Sequence, residues 1–171
     1  MVTRILVLPG DGIGPEVMAS ALDVLDAVAI SKNLHLDITE DVLHGAAWNK
    51  YRTFCRPETI INAKQSDAVL VGAVGGPEWD QITIEGGPTE QDGLMKLRME
   101  LDVFAGLRPA KAWDCLISKT PYRPHLVRGA NIMVMREMCG GSFFTTHRGI
   151  EDLTDGGQRA FDLNEYTSFE I

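Results

Sequence analysis

A chain of 171 residues with 44% hydrophobic and 23% charged side chains can bury one substantial core, which excludes a disordered polypeptide. Its formal net charge of −8, from 24 acidic against 16 basic residues, argues against binding nucleic acid or an anionic membrane surface. No apolar run reaches the ~20 residues of a membrane span, the N-terminus lacks a signal pattern, and Cys55, Cys115 and Cys139 stand far apart in no metal-ligand spacing, so a cytoplasmic protein with reduced thiols is expected.

Residues 4–8 (RILVL) read as a strand buried on both faces, broken at once by Pro9-Gly10-Asp11-Gly12-Ile13-Gly14-Pro15. Pro15 and Glu16 suit a first helical turn, where the missing N–H costs nothing and a carboxylate meets the positive dipole end. Val17, Ala21, Leu22, Val24, Leu25 and Val28 then recur at helical spacing. Residues 34–38 alternate like a half-exposed strand, 57–65 suit a helix, and 68–71 (AVLV) form another buried strand that ends in Gly72-Ala73-Val74-Gly75-Gly76-Pro77. Strand, helix, strand, helix, strand implies a parallel α/β sheet. Further on, 91–101 read as a helix, 103–107 (VFAGL) as a strand leading to Arg108, and 130–135 (ANIMVM) as a buried strand delivering Arg136. After Gly140-Gly141 the chain turns polar, with no closing element expected.

The first glycine cluster invites a dinucleotide reading, because glycines between a strand and a helix let backbone approach phosphate. The pattern is GxGxG followed by proline rather than GxGxxG, and neither Asp26 nor Asp37 makes a convincing ribose partner, so a tight strand-to-helix turn competes with it. The second loop, Gly72 to Asp80, also follows a buried strand, and ligands of open α/β sheets bind beyond the carboxyl ends of strands. Arg98, Arg108 and Arg136 come from elements able to converge on one crevice, where guanidinium forks match the carboxylates of a di- or tricarboxylate. The four histidines, His35, His44, His125 and His147, have no ligand spacing and read as structural or surface groups.

The segments LPGDGIGPEV (8–17), LVGAVGGPEWD (70–80), GLMKLRMELDVFAGLRP (93–109) and VMREMCGG (134–141) together resemble the β-decarboxylating dehydrogenases, the isocitrate/isopropylmalate dehydrogenase family, and most of all its isopropylmalate branch. The resemblance implies an open α/β sheet with flanking helices that is incomplete in this chain. Residues 1–100 would be the N-terminal part of a large α/β domain, 101–148 the start of a second, smaller one, and 149–171 a truncated, arm-like segment that projects or is poorly ordered. It implies an oxidoreductase that uses NAD and Mg2+ or Mn2+ to oxidise and decarboxylate 3-isopropylmalate in leucine biosynthesis, working as a homodimer. Arg98, Arg108 and Arg136 would bind the substrate carboxylates, Leu94 and Met95 its alkyl group, since a carboxylate buried there without partners would be costly. Gly75, Gly76, Pro77, Glu78, Trp79, Asp80 and Gln91 would lie on the nicotinamide side of the cofactor.

Two departures stand out. In GGSFFT, Phe143 falls where the family carries a proton-donating tyrosine, and the family's catalytic lysine and metal-binding aspartates lie beyond Ile171, leaving no metal ligands in this chain. A 171-residue copy is therefore expected to be catalytically incomplete by itself. The alternative expectation is a non-catalytic or regulatory paralogue that binds a carboxylate ligand or pairs with a full-length partner.

Overall fold

The apolar run that opens the chain becomes the central strand of a parallel sheet. Strand β1 (Val2–Gly10) is flanked by β2 (His35–Glu40) and β3 (Ala68–Ala73) in the order β2-β1-β3. Ile5 pairs with Ile38 on one side and Ala68 on the other. Having both edges bonded, β1 buries Leu6, Val7 and Leu8 completely. Side chains alternate across the sheet, so Leu6 and Leu8 join Leu43, Cys55, Ile60, Ala63 and Leu97, while Ile5 and Val7 join Met18. Two apolar clusters thus lie on opposite faces of one strand.

The structure, a computed structural model, describes residues 2–85, 88–138, 140–141, 145 and 147–168. Its contacts divide the chain into two units, Met1–Asp102 and Val103–Ile171. In the first, helix α1 (Gly14–Lys32) starts with Pro15 and Glu16 in its first turn and ends on Asn33 in the left-handed conformation, φ 52°. Of its apolar positions, Ala21, Leu22 and Leu25 pack against the Ile5–Val7–Met18 cluster. Val17, Val24 and Val28 stay exposed, because the three strands beneath cover only part of the helical stripe. Helices α2 (Gly45–Tyr51), α3 (Pro57–Gln65), the single turn α4 (Pro88–Gln91) and α5 (Gly93–Glu100) complete the unit. Helix α5 is capped by Asp92, whose carboxylate accepts from the amides of Leu94 and Met95 at 2.9 and 3.1 Å. Among the described residues no helix is long and apolar enough to cross a membrane.

The second unit contains two antiparallel ribbons. Strand β4 (Ala105–Lys111) pairs with β5 (Asn131–Glu137), and between them lie a 3-10 turn (Asp114–Lys119) and the short helix α6 (Pro124–Val127). Strand β6 (Arg148–Asp152) pairs with β7 (Gln158–Asp162).

Three expectations need correction. Arg108 sits within β4 rather than at a strand end, since the strand begins and finishes later than 103–107. Strand β5 is not buried: Ile132, Met133, Val134 and Met135 are 49–66% exposed, because a two-stranded ribbon has no sheet layer of its own to cover it. The polar stretch after Gly141, where no closing element is expected, holds two paired strands. Its two strands close through Gly156, φ 84°, with Leu153 donating to the Gly157 carbonyl at 2.8 Å.

Candidate functional site

The glycines at the ends of β1 and β3 let two chain segments touch. A Cβ on Gly10 would fall 2.0 Å from the Ala73 carbonyl oxygen, and one on Gly14 would fall 2.8 Å from the same oxygen. These glycines are therefore explained by close approach of the two loops to each other, with no phosphate required.

That approach brings Asp11 to the centre of the site. Its side chain is 1% exposed, and its own amide donates to the Ala73 carbonyl at 2.7 Å. The carboxylate accepts from the amides of Gly45 at 3.0 Å, Ala46 at 2.6 Å and Gly75 at 2.9 Å, and from His44 Nδ1 at 3.0 Å. A buried carboxylate demands this many donors. Asp11 thus ties the β1–α1 loop, the start of α2 and the loop after β3 together. Sequence reasoning passed over Asp11 and read His44 only as a structural or surface group.

His44 carries an unusual backbone, φ 54° and ψ −123°, a region that side chains other than glycine rarely enter. Its ring lies 4.9 Å from that of Phe54 and meets Trp79 edge-on at 6.1 Å, and its amide donates to the Phe54 carbonyl at 2.7 Å.

The loop Gly75 to Asp80 is held at both ends. Gly75 is bonded to Asp11, while the Trp79 indole lies on Gly45, where an added Cβ would come 2.4 Å from the ring. Trp79 Nε1 donates to Asn49 Oδ1 at 3.3 Å. Gly76 sits under the Trp79 ring, and Gln91 Nε2 donates to the Ile82 carbonyl at 3.4 Å. Gly75, Pro77, Glu78 and Asp80 remain exposed. Trp79 is therefore a half-buried anchor of the loop, and the open peptide run from Gly75 to Glu78 is the part left accessible.

Helix α5 begins against the same cluster. A Cβ on Gly93 would lie 2.3 Å from the Phe54 carbonyl oxygen and 3.1 Å from the His44 nitrogen. Leu94 and Met95 are half-buried, Leu94 against the Leu6–Leu8 cluster, and Arg98 follows them by four and three residues, hence on the same side of the helix. Next to Phe54, Cys55 is buried, and burial pushes its thiol up to about 11. The expected alkyl-binding pair and the expected cofactor loop are thus joined through His44 and Phe54.

In the second unit, Arg136 pairs across the ribbon with Gly106, and Arg108 with Val134. Both arginines therefore leave the same face, Arg136 half-buried and Arg108 exposed. Glu137 accepts from the Gly140 amide at 2.7 Å and from the Tyr166 hydroxyl at 3.2 Å. Arg98 belongs to the first unit. Phe143 lies outside the described residues, as does Cys139. Among the described residues there is no group of three His, Cys, Asp or Glu side chains able to hold a metal.

Residues 4–171 match the family model described as isocitrate/isopropylmalate dehydrogenase. A 3-isopropylmalate dehydrogenase of Anaeromyxobacter dehalogenans is 44% identical over the whole chain, which spans 48% of that protein. That of Hydrogenovibrio crunogenus is 40% identical over the whole chain and 47% of its own length. Among solved structures, a β-decarboxylating dehydrogenase of Thermococcus kodakarensis in its apo form aligns over 98% of this chain and 42% of its own, with a TM-score of 0.64 and 27% identity. An isocitrate dehydrogenase of Methylococcus capsulatus aligns over 98% and 44%, with a TM-score of 0.72 at 19% identity, which is a likeness of fold alone. The chain spans about half the length of the relatives it matches.

Proposed function

The chain belongs to the isocitrate/isopropylmalate dehydrogenase family, and from that premise we propose that the protein oxidises 3-isopropylmalate at its hydroxyl carbon with NAD and releases the β-carboxylate, a step of leucine biosynthesis. The observation that carries this reading is the apolar pair Leu94–Met95 on the same side of α5 as Arg98, at a helix start packed against the backbone of His44 and Phe54. An alkyl group seated there removes apolar surface from water, at roughly 0.8 kcal/mol per methylene. A third carboxylate placed there would lose hydration without a partner.

Arg98, Arg108 and Arg136 bind and orient the malate carboxylates through paired N–H donors. The cofactor loop fits its role on one structural ground: a Cβ at Gly75, φ 104°, would meet nothing within 4 Å, so the backbone there is open to a ligand. Gly75, Gly76, Pro77, Glu78, Asp80 and Gln91 hold the nicotinamide side, with Trp79 fixing the loop from behind. When bound, NAD supplies the hydride acceptor. Among the described residues no group of three His, Cys, Asp or Glu side chains offers Mg2+ or Mn2+ a ligand set. The mostly exposed β6–β7 ribbon is read as the arm through which two copies pair.

Phe143 favours a second reading, a paralogue that binds the carboxylate ligand or a full-length partner without turning over. One experiment separates the two. NADH formation from 3-isopropylmalate and NAD by the full protein supports the enzyme, and calorimetric binding of 3-isopropylmalate without NADH formation supports the paralogue. Absence of both binding and turnover overturns the substrate assignment.

A further inference from the structure

We propose that Asp11 and His44 are a positioning pair that sets the conformation of the Gly75–Asp80 loop, an inference that rests on the reading of that loop as the nicotinamide side. Three observations converge on it. The Asp11 Oδ2 oxygen gathers the Gly75 amide, the Gly45 amide and His44 Nδ1, all within 3.0 Å, so one atom joins the loop to the start of α2. Since a carboxylate only accepts, the imidazole carries its proton on Nδ1, which fixes the ring's orientation. That ring in turn meets Trp79, the loop's other anchor, edge-on.

The third observation is the backbone of His44. At φ 54° and ψ −123° a glycine would fold with less strain, and strain of this kind persists only where the surroundings hold it in place. What holds it is the hydrogen bond to Asp11, the ring of Phe54 and the hydrogen bond that the His44 amide donates to the Phe54 carbonyl. The strained residue delivers an imidazole to the one buried carboxylate that grips the cofactor loop. Asp11 and His44 touch neither substrate nor cofactor in this account. They act through Gly75 and Trp79.

The test is hydrogen exchange by mass spectrometry on the full protein, with segment 72–80 as readout and segment 4–8 of β1 as internal control. Asp11→Asn trades charge-assisted bonds for neutral ones and leaves one donor orphaned, so exchange of 72–80 should rise about tenfold while 4–8 is unchanged. His44→Gly frees the backbone but deletes the donor, and should loosen the same segment. His44→Asn, which tolerates positive φ and places an N–H where Nδ1 was, should restore it. Unchanged exchange of 72–80 in both Asp11→Asn and His44→Gly overturns the positioning pair, and so does a rise that spreads equally into 4–8. The KM for NAD is measured alongside, and is expected to rise with kcat and the KM for 3-isopropylmalate nearly constant. A loosened loop with an unmoved KM for NAD leaves the pair standing and overturns the loop's assignment to the cofactor.

Discussion

Arg108 and Arg136 are diagonal neighbours on one face of the β4–β5 ribbon, because Arg136 faces Gly106 and Arg108 faces Val134 two residues further along. A Cβ at Gly106 would lie 3.4 Å from both the Arg136 Cβ and the Met138 sulfur, so the glycine lets the base of Arg136 pack closely against β4. Removing either arginine should leave a substrate carboxylate without its partner. Arg136→Ala in the full protein is expected to weaken 3-isopropylmalate binding by ~2–5 kcal/mol by calorimetry, with Arg136→Lys recovering only part of it because a point charge does not make the paired bond. Affinity unchanged in Arg136→Ala would make that arginine structural.

A second expectation concerns Phe143, which has no proton to give to an enol. General acid catalysis contributes ~10²–10⁴-fold, so Phe143→Tyr in the full protein should raise turnover of 3-isopropylmalate while the KM for NAD stays put. An unaltered steady-state rate would mean that water or another side chain donates the proton.

Much of the first unit could be read from the residues, and the reasons are local. Helix α3 announces itself with Pro57 at its first turn and apolar residues at helical spacing, and β3 with the run AVLV between polar and glycine-rich segments. Arg98, Leu94 and Met95 fell on one helix, α5, for the same reason. The hub at Asp11 was not legible, because its partners are mostly backbone amides of residues far along the chain, and amides leave no side-chain signature. Nor does any sequence pattern mark a histidine with glycine-like dihedrals. The exposure of β5 escaped for a different reason: apolar composition says that a strand is fit to be buried, not what will cover it.

Gly45→Ala tests the seating of Trp79. The added methyl would lie 2.4 Å from the indole carbons, so the ring must move and its bond to Asn49 must break. Overpacking of this kind typically costs ~1–3 kcal/mol. The urea midpoint should fall, and the Trp79 indole N–H resonance should shift while those of Trp48 and Trp113 hold. A variant indistinguishable from the parent would show that the ring is not seated there.

Cys55 and Cys115 should differ sharply in reactivity. Burial holds the Cys55 thiol near 11, with Lys96 pulling weakly the other way, whereas Cys115 is exposed. Relative to an ordinary thiol at 9.0, the thiolate fraction of Cys55 at pH 8 is lower by about a hundredfold. Iodoacetamide labelling read by peptide mass spectrometry should therefore modify Cys115 first and Cys55 only as the fold opens. Rapid labelling of Cys55 in the folded protein would contradict its place in the core.

The contact between α3 and α5 carries a small pH dependence. Glu100 accepts from Lys64 Nζ at 2.9 Å, and that bond, together with the lysine's charge, lowers its carboxyl pKa. A folded value below the unfolded one stabilises above the unfolded carboxylate range, and the gain disappears as pH falls through the folded value. Both side chains are about half exposed, so the pair is worth less than about 1 kcal/mol. Glu100→Gln should lower the urea midpoint slightly at pH 7, less so in high salt, and not at all at a pH below both values. An equal loss at both pH values would mean that the carboxylate's charge is not the cause.

The strand order β2-β1-β3 also governs how the first unit comes into being. Both neighbours of β1 follow it in the chain, the nearer beginning at His35 and the farther at Ala68. As the polypeptide is synthesised, β1 emerges first and is completed last. Until Ala73 is free to pair, one edge of β1 has no hydrogen-bonding partner and Leu6, Val7 and Leu8 lack the closed sheet that buries them. Such non-local pairing folds slowly and leaves nascent chains exposed to association with one another. Among the described residues the most deeply buried strand therefore carries an unpaired edge until its second partner emerges, and chains halted between His35 and Ala68 are the ones that should need a chaperone.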